Sequence, residues 1–506
     1  MSNRHHHPLR PLHLQFLFCL LFLVAILLLL PHHLPCMAMN PIMMMDRSRQ
    51  EEHHTTSENK EDSSLLIRPF IIPYAHSEHL KLLFRLNETL SMFKKTMDRV
   101  FPKLYSKTSL RWEMGTDLDQ VVELVQYWHD VFDWKGQVEK LNTKLPHYET
   151  TLIDDDDEEV MIRFAWRKSS LTSKKGKMNG ERKVLLLLHG WPGSVWEFHN
   201  MVDELVQVHG YDVVAPSIPG YGYSFIPKRE GCCDVKKVAS LFVKLMKQLG
   251  YGKYIVQGGD WGSIIGEHVA RLDPSHCIGY HSNMCVVLPY WQDWIQVAID
   301  ALKKLIFGTP LIENTESFSS FLMYAVKYFT IDGGYQHLQS TRPDSLGIAL
   351  LDSPVGMMAY LLEKFIAWTD LPQKDTSQLF SRISRDDFLT NVMIYQTTQT
   401  IASSIRLYYF TMTNQKSFGE DKPYLSTPTA CAVFKDLFRA TRYTAQRNFN
   451  LVQFNRYEQG GHFAALENPK VLIQDVIQFA NTRYEQMGSD EDDASQHRQQ
   501  AKKNEL

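Results

Sequence analysis

The sequence has no excess of positive charge and few cysteines. Across 506 residues, 54 Lys and Arg side chains face 57 Asp and Glu side chains, which gives a formal net charge of −3. Nucleic-acid binding is therefore disfavoured, because phosphate backbones are bound mainly through Lys and Arg. The seven cysteines include no CxxC pair, so zinc ribbons and thioredoxin-type motifs are excluded. They are too sparse for a disulfide scaffold, and they leave the redox compartment open.

Long apolar runs are also missing, with one exception near the N-terminus. A content of 44% hydrophobic and 22% charged residues is typical of globular proteins and excludes a polytopic membrane protein. The exception is residues 12–30, which are apolar apart from His13 and Gln15. This run lies in length between a secretory signal and a full membrane span. Residues 1–46 are therefore predicted to be a signal anchor or a cleavable signal peptide; a buried core helix is the disfavoured alternative.

Three short features bear on location. Arg4 and Arg10 precede the apolar run and no charge follows it until Asp46, a bias that places the bulk of the chain in the lumen. The last residues, 503–506, read KNEL and resemble the KDEL retrieval signal. Asn87 begins a glycosylation sequon that is usable only in the lumen. Together they predict attachment to the endoplasmic reticulum membrane.

An alternation of strand-like and helical segments begins near residue 183. Residues 184–188 are uniformly apolar, as a strand buried on both faces requires, and residues 212–215 and 254–257 are further strands. Helical spacing follows each of them, over 196–208, 235–249 and 263–272. Alternating strands and helices predict an α/β fold with a parallel sheet.

The remaining segments complete the predicted organisation. Residues 290–405 are mostly helical and rich in aromatic residues, which indicates a lid over the carboxyl edge of the sheet, where α/β folds bind ligands. The acidic run 154–159 lacks the ligand spacing of a calcium loop and is interpreted as a solvated turn. The predicted segments are a spacer (47–66), an N-terminal segment (67–166), the first part of the core (167–289), the lid (290–405), the second part of the core (406–485) and a polar acidic tail (486–506), disordered over 488–502.

Residues 258–262 read GGDWG and lie between a predicted strand and a predicted helix. This is the strand–turn–helix pattern of the α/β-hydrolase nucleophile elbow, with Asp260 where a serine hydrolase has Ser. The motif HGWPGS at 189–194 follows the first strong strand, where this fold provides one amide of the oxyanion hole. The main-chain amides of Trp191 and Trp261 are the predicted oxyanion donors.

A histidine and an acid are expected later in the chain. His462, in the motif GGHF, precedes the last predicted helix, where this fold carries its base. Asp436 follows the apolar segment 430–434 and is the predicted orienting acid; Glu420 and Asp421 compete but precede that strand. A surface histidine would be the default interpretation of His462 without these neighbours.

An aspartate nucleophile predicts a particular chemistry. A carboxylate attacks a strained or activated sp³ carbon and forms an alkyl ester, which histidine-activated water then hydrolyses at an oxyanion hole. Epoxide hydrolases and haloalkane dehalogenases both satisfy this description. An epoxide also requires a proton donor for its oxygen, which lid tyrosines can provide.

The chain resembles the microsomal-type epoxide hydrolases (the cis-stilbene-oxide hydrolase class), which include the juvenile-hormone epoxide hydrolases, over about residues 65–485. The resemblance rests on the motifs IRPF (67–70), YW (127–128), FDW (132–134), HGWPGS (189–194), GGDWG (258–262), DSPVG (352–356), LTNVM (389–393) and GGHFAA (460–465). It implies an α/β-hydrolase fold with a helical lid and an N-terminal segment that wraps both. It also implies Tyr335 and Tyr408 as proton donors, although Tyr409 stands beside the second.

The resemblance further implies an apolar epoxide, xenobiotic or lipid and terpenoid, and water as the substrates, with no cofactor and no metal. Two residues depart from it: Asp436 stands where microsomal members often have Glu, and Phe410 stands where a second Glu is found. Family members usually face the cytosol, which conflicts with the lumenal signals. A dehalogenase-like hydrolase and a non-catalytic membrane-anchored lipid binder remain the alternatives.

Overall fold

The computed structural model describes residues 67–100, 115–171, 177–178, 181–225, 234–287, 332–371, 378–414, 423–436 and 439–504. All of them belong to a compact unit that spans residues 62–506. The predicted N-terminal anchor (1–46), the spacer (47–66), the first part of the lid (290–331) and the competing acids Glu420 and Asp421 lie outside the described residues.

The core is a nine-stranded sheet whose strand order is β1-β2-β3-β7-β6-β8-β9-β10-β11. Six strands, from β7 to β11 in that order, run parallel, and the first three add an antiparallel edge. The three strands predicted near 184, 212 and 254 are confirmed, and every residue of each is buried. The strands are β1 (Arg68–Phe70), β2 (His147–Ile153), β3 (Glu159–Arg167), β6 (Val184–Leu188), β7 (Asp212–Pro216), β8 (Tyr254–Gly258), β9 (Cys277–Ser282), β10 (Leu425–Val433) and β11 (Phe449–Arg456); β4 (Lys177–Met178) and β5 (Glu181–Arg182) form a separate hairpin.

The core helices follow the predicted pattern with one correction. Helices Val235–Gln248 and Trp261–Leu272 form where the spacing predicts them. The predicted continuous helix over 196–208 is instead a 3₁₀ helix, Val195–Asn200, followed by an α-helix, Val202–Gln207. The His199 ring donates from Nδ1 to the Trp196 carbonyl at 2.7 Å, so a side chain occupies an acceptor that a continuous α-helix would use.

The N-terminal segment consists of helices His76–Val100, Leu118–Asp130 and Trp134–Lys144, followed by β2 and β3. It contacts the lid where the Tyr127 hydroxyl donates to Asp386 at 2.8 Å. The acidic run after β2 is tied to helix Val235–Gln248, since Asp155 pairs with Lys244 at 2.7 Å. In the described parts of the chain, no group of three or more His, Cys, Asp or Glu side chains is placed to hold a metal ion.

The described lid is helical throughout. Its last helix continues to Thr413, so it crosses residue 405, where the sequence analysis ends the lid. Across the residues that the structure describes, no single helix is long and apolar enough to cross a membrane. Only two consecutive lid helices, Pro343–Asp352 and Pro354–Trp368, meet the requirement of length and composition when taken together, and a sharp bend separates them. The lid helices are Gly334–Thr341, Pro343–Asp352, Pro354–Trp368, Leu379–Arg382, Arg385–Thr398 and Ile401–Thr413.

The C-terminal region returns to the core through helices Arg442–Asn448, Ala464–Glu467 and Pro469–Asn504. The prediction of disorder over 488–502 is wrong, because the last helix continues through these residues. Its first half is anchored by buried Leu472, Val476 and Tyr484. A packed helix is extended readily by Glu, Gln, Ala, Lys and Arg, which are good helix formers and dominate the tail.

Candidate active site

Asp260 lies at a sharp turn between β8 and helix Trp261–Leu272. Its φ of 50° and ψ of −128° are unusual for a residue with a side chain and indicate backbone strain, which concentrates at functional sites. The turn requires close approach of strand and helix: a Cβ on Gly258 would collide with the Gly262 carbonyl, and one on Gly262 with the Leu188 carbonyl. The GGDWG sequence therefore forms the elbow that the motif predicts.

Two main-chain amides meet the Asp260 carboxylate. The Trp191 N–H donates to Oδ1 at 2.8 Å, and the Trp261 N–H also hydrogen-bonds to this carboxylate. Burial raises the pKa of Asp260, and His462 and the two amides act in the opposite direction. The structure thus brings the two predicted oxyanion donors to the predicted nucleophile.

His462 lies between two carboxylates. Its Nδ1 is 2.8 Å from Asp436 Oδ1, and its Nε2 is 3.6 Å from Asp260 Oδ2. Burial by itself lowers the pKa of His462, but the charges of Asp436, Asp260 and Glu197 outweigh it and raise this pKa to about 9. The imidazole is therefore oriented by Asp436 and presents its second nitrogen to the predicted nucleophile.

The two predicted lid tyrosines lie over this centre. Tyr335 and Tyr408 are buried, with ring centroids 6.0 Å apart in an edge-to-face arrangement. Tyr335 stacks on Trp191 at 5.5 Å, and Tyr408 packs edge-on against Trp261 at 4.7 Å. Each tyrosine thus contacts a residue whose amide is a predicted oxyanion donor.

The neighbouring Tyr409 is 39% exposed, in contrast to buried Tyr408. Tyr409 therefore lies on the outer side of the lid helix, away from the buried aromatic cluster around Trp191. The placement therefore favours Tyr408 over Tyr409 as the second tyrosine of the site.

The loop that carries His462 is hydrogen-bonded to the lid, a connection that the sequence analysis missed. The His462 N–H donates to the Trp368 carbonyl at 3.0 Å. The half-buried Glu467 accepts from the amides of Gly461 at 2.8 Å, Asp370 at 2.9 Å and Phe463 at 3.0 Å. Burial raises the pKa of Glu467 to about 7 against the effect of these three donors.

A second carboxyl group was also missed. Glu197 follows the HGWPGS motif by three residues and, with Asp260 and His462, lines a cavity of about 20 Å³. The only sequence signal is an acidic residue within the apolar run 195–198. A larger cavity of about 820 Å³ lies between the N-terminal segment and the lid, with Phe70, Met357 and Met393 among its lining residues.

Two of the cysteines form a disulfide. Cys285, which follows β9, is bonded to Cys431 in β10, with 5.9 Å between their Cα atoms. They are 146 residues apart in sequence, and their spacing does not indicate this pairing. The bond joins the segment after β9 to β10, five residues before Asp436.

The fold and the site together define a class: an α/β-hydrolase with an aspartate at the nucleophile elbow and two tyrosines in a helical lid. The family model described as epoxide hydrolase N terminus matches residues 67–198, and that described as alpha/beta hydrolase fold matches residues 183–306. "Epoxide hydrolase 1" of Sus scrofa is 34% identical over 436 residues, covering 83% of this chain and 89% of that protein. The chain belongs to the epoxide hydrolase family.

Other relatives and solved structures that are similar to this chain are also epoxide hydrolases. The juvenile hormone epoxide hydrolase of Bombyx mori is 32% identical over 430 residues, covering 83% of this chain and 87% of that protein. A crystal structure of juvenile hormone epoxide hydrolase from the same organism superposes with a TM-score of 0.71 at 30% identity, covering 85% of this chain and 97% of that one. The Aspergillus niger epoxide hydrolase gives a TM-score of 0.65 at 25% identity, with coverage of 83% and 97%. The predicted α/β-hydrolase fold is confirmed.

Proposed function

We propose that this chain is an epoxide hydrolase that converts apolar epoxides and water to vicinal diols through an alkyl ester on Asp260. The observation that carries the proposal is the convergence of Asp260, the His462–Asp436 pair and two lid tyrosines on one buried centre. Water is the only cosubstrate that the reaction needs.

In the first step, a carboxylate oxygen of Asp260 attacks an oxirane carbon and the carbon–oxygen bond of the ring breaks. Tyr335 and Tyr408 donate hydrogen bonds to the ring oxygen, and one of them provides its proton. Their packing against Trp191 and Trp261 places both rings beside the residues whose amides contact Asp260.

In the second step, water hydrolyses the ester. Esterification removes the negative charge of Asp260, one of the charges that raise the pKa of His462, so this pKa falls and more of the imidazole is neutral and able to accept a proton in the intermediate. His462 takes a proton from water, and the water oxygen attacks the Asp260 carbonyl carbon. The amides of Trp191 and Trp261 stabilise the oxyanion, and Asp436 stabilises the imidazolium.

The aromatic surroundings of the site favour apolar substrates, either aryl and alkyl oxides or lipid and terpenoid epoxides. Trp368 lies 5.1 Å from Tyr335 and 4.9 Å from His462 between ring centroids, so apolar surface encloses the reacting groups. A dehalogenase does not need the paired tyrosines, and a non-catalytic lipid binder needs neither His462 nor Asp436.

A single-turnover hydrolysis of styrene oxide in ¹⁸O-labelled water tests the mechanism. The proposal predicts unlabelled oxygen in the first diol and label in the Asp260 carboxylate. Direct entry of the label into the first diol would exclude the ester. A Tyr335→Phe variant that loses epoxide turnover but releases halide from alkyl halides would favour the dehalogenase.

The location is proposed to be the endoplasmic reticulum membrane, with the catalytic part in the lumen. The Cys285–Cys431 disulfide supports the lumenal side, because disulfides persist in oxidising compartments. Asn87 is exposed on helix His76–Val100 and is therefore accessible for glycosylation. Loss of an endoglycosidase-sensitive mass shift in Asn87→Gln supports this orientation, whereas an unglycosylated chain cleaved by protease in intact microsomes contradicts it.

A further inference from the structure

We propose that the Glu197 carboxyl group, together with His462, binds and orients the water molecule that hydrolyses the Asp260 ester. The inference rests on the proposed ester mechanism and deepens it, because it assigns a further group to the second step. It starts from a cavity beside the nucleophile and from a carboxyl group that the mechanism above does not use.

The cavity has the size and the lining of a water site. Its volume of about 20 Å³ exceeds the roughly 10–15 Å³ that one water requires. Glu197, Gln257, Asp260, Asn283 and His462 provide polar groups around it. A water there would find the two to four polar partners that buried waters have, and it would lie beside both the base and the carbon that it attacks.

Gln257 provides an independent indication of a ligand. Its side chain is 1% exposed, and its amide nitrogen donates to Asn283 at 2.8 Å. Its Oε1 accepts no hydrogen bond from any described residue. A buried carbonyl oxygen without a donor is costly, so its position on the cavity wall favours a bound water.

The chain holds the Glu197 carboxyl group in place. A Cβ on Gly193 would overlap Glu197 Oε1, so only glycine leaves room for this side chain. The Gly193 carbonyl accepts from the Tyr395 hydroxyl at 2.7 Å, and the Pro192 carbonyl accepts from Asn391 at 2.7 Å. The lid thus fixes the loop on which Glu197 depends.

The charges around Glu197 change during the reaction in the direction that the role requires. Burial raises the pKa of Glu197 to about 8; His462 opposes this and the Asp260 charge adds to it. Before reaction, a protonated Glu197 avoids a second anion beside Asp260. Esterification removes the Asp260 charge, one of the causes that raise this pKa, so the intermediate favours an ionised Glu197 that accepts a hydrogen bond from water.

The proton balance needs no additional reactant. One water proton goes to His462 Nε2 as the oxygen bonds to the Asp260 carbonyl carbon. The ester carbon–oxygen bond then breaks, and the departing alkoxide takes that proton from the imidazolium. The other water proton is left on the regenerated Asp260 carboxyl group and passes to the tyrosinate formed in the first step, so both residues return to their starting states. Glu197 releases its proton to solvent when the ester forms, accepts a hydrogen bond from the second O–H during hydrolysis, and is reprotonated from solvent when the Asp260 charge returns, so it accelerates the step by positioning.

The test is rapid-quench hydrolysis of styrene oxide by the full chain, with the ester on the Asp260 peptide measured by mass spectrometry. In Glu197→Gln we expect alkylation to stay within about threefold of wild type and deacylation to fall about 10–100-fold, so the ester accumulates. The pH profile of deacylation should also lose one ionisation. Glu204→Gln is the matched control, because this carboxyl group does not line the cavity and, among the described residues, forms an ion pair with His209 at 3.7 Å.

Further variants separate the possible failures. Gly193→Ala keeps the carboxyl group but displaces it, and should show the same deacylation defect. Unchanged deacylation in Glu197→Gln, or an equal loss of both steps, would overturn this inference, provided that His462→Gln traps the ester. If no ester is trapped even in His462→Gln, the proposed mechanism itself fails.

Discussion

Replacement of Asp436 by Asn should separate the two chemical steps. The amide keeps the size of the side chain but removes the charge that lies 2.8 Å from His462 Nδ1. Alkylation needs the Asp260 carboxylate and the tyrosines, so it should change little. Deacylation develops positive charge on His462 and should lose the stabilisation that this charge receives.

The magnitude follows from the pKa of His462. The difference between its usual value of 6.5 and about 9 in the protein corresponds to about 3 kcal/mol of preference for the charged imidazole, at roughly 1.36 kcal/mol per pH unit. Asp436 is the largest of the charges that raise this pKa. Because Asp260 and Glu197 contribute to the same preference, loss of the Asp436 charge should slow deacylation by at most about 300-fold.

The assay is a stopped reaction in which the Asp260 ester is quantified against time. Asp436→Asn should accumulate nearly one ester per chain at a near-normal alkylation rate. Asp436→Glu, which keeps the charge and adds one methylene, should recover part of the deacylation rate. Deacylation at the wild-type rate in Asp436→Asn would refute the assigned role of this residue, as would an equal slowing of both steps.

Three further outcomes are expected. Tyr335→Phe should lower the alkylation rate, measured by rapid quench, by about 10²–10⁴-fold, and the double variant Tyr335→Phe/Tyr408→Phe should lower it further. A normal alkylation rate in the double variant would remove both tyrosines from the mechanism. Because the pKa of His462 is raised, its charged form stabilises the fold below pH 6.5, and this contribution is lost as pH rises to about 9. Between pH 6.5 and about 9, the free energy of unfolding should therefore fall by up to about 3 kcal/mol more in wild type than in His462→Gln. Parallel curves of unfolding free energy against pH in the two proteins would contradict this. Removal of the Cys285–Cys431 bond by Cys431→Ser should cost about 2–4 kcal/mol of stability by denaturant titration, and an unchanged midpoint would argue against the bond.

The features predictable from sequence are those set by neighbouring residues. The apolar run Val184–Leu188 forms a buried strand because no polar side chain interrupts it. Asp260 takes up its strained turn because Gly258 and Gly262 permit the close approach of strand and helix. Such patterns are local, so the elbow and most core elements are identified without the structure.

The features that were missed depend on distant residues. Cys285 and Cys431 meet because β9 and β10 are adjacent in the sheet, which their spacing does not indicate. Glu197 acquires significance only from the space above Gly193 and from its approach to His462. An acidic residue in an apolar run is otherwise interpreted as a surface position.

The lid is fastened to both loops that carry the site, which bears on how the active geometry is maintained. Asn391 donates to the Pro192 carbonyl beside the Trp191 amide, and the Trp368 carbonyl accepts from the His462 amide. Lifting the lid would break both bonds and move the oxyanion loop relative to the base. Two other helices of the same lid carry Tyr335 and Tyr408, so the contacts of the lid hold the proposed donors, nucleophile and base together. A site that needs all of these within about 0.5 Å of their working positions therefore favours a lid that stays closed while substrate enters from the side.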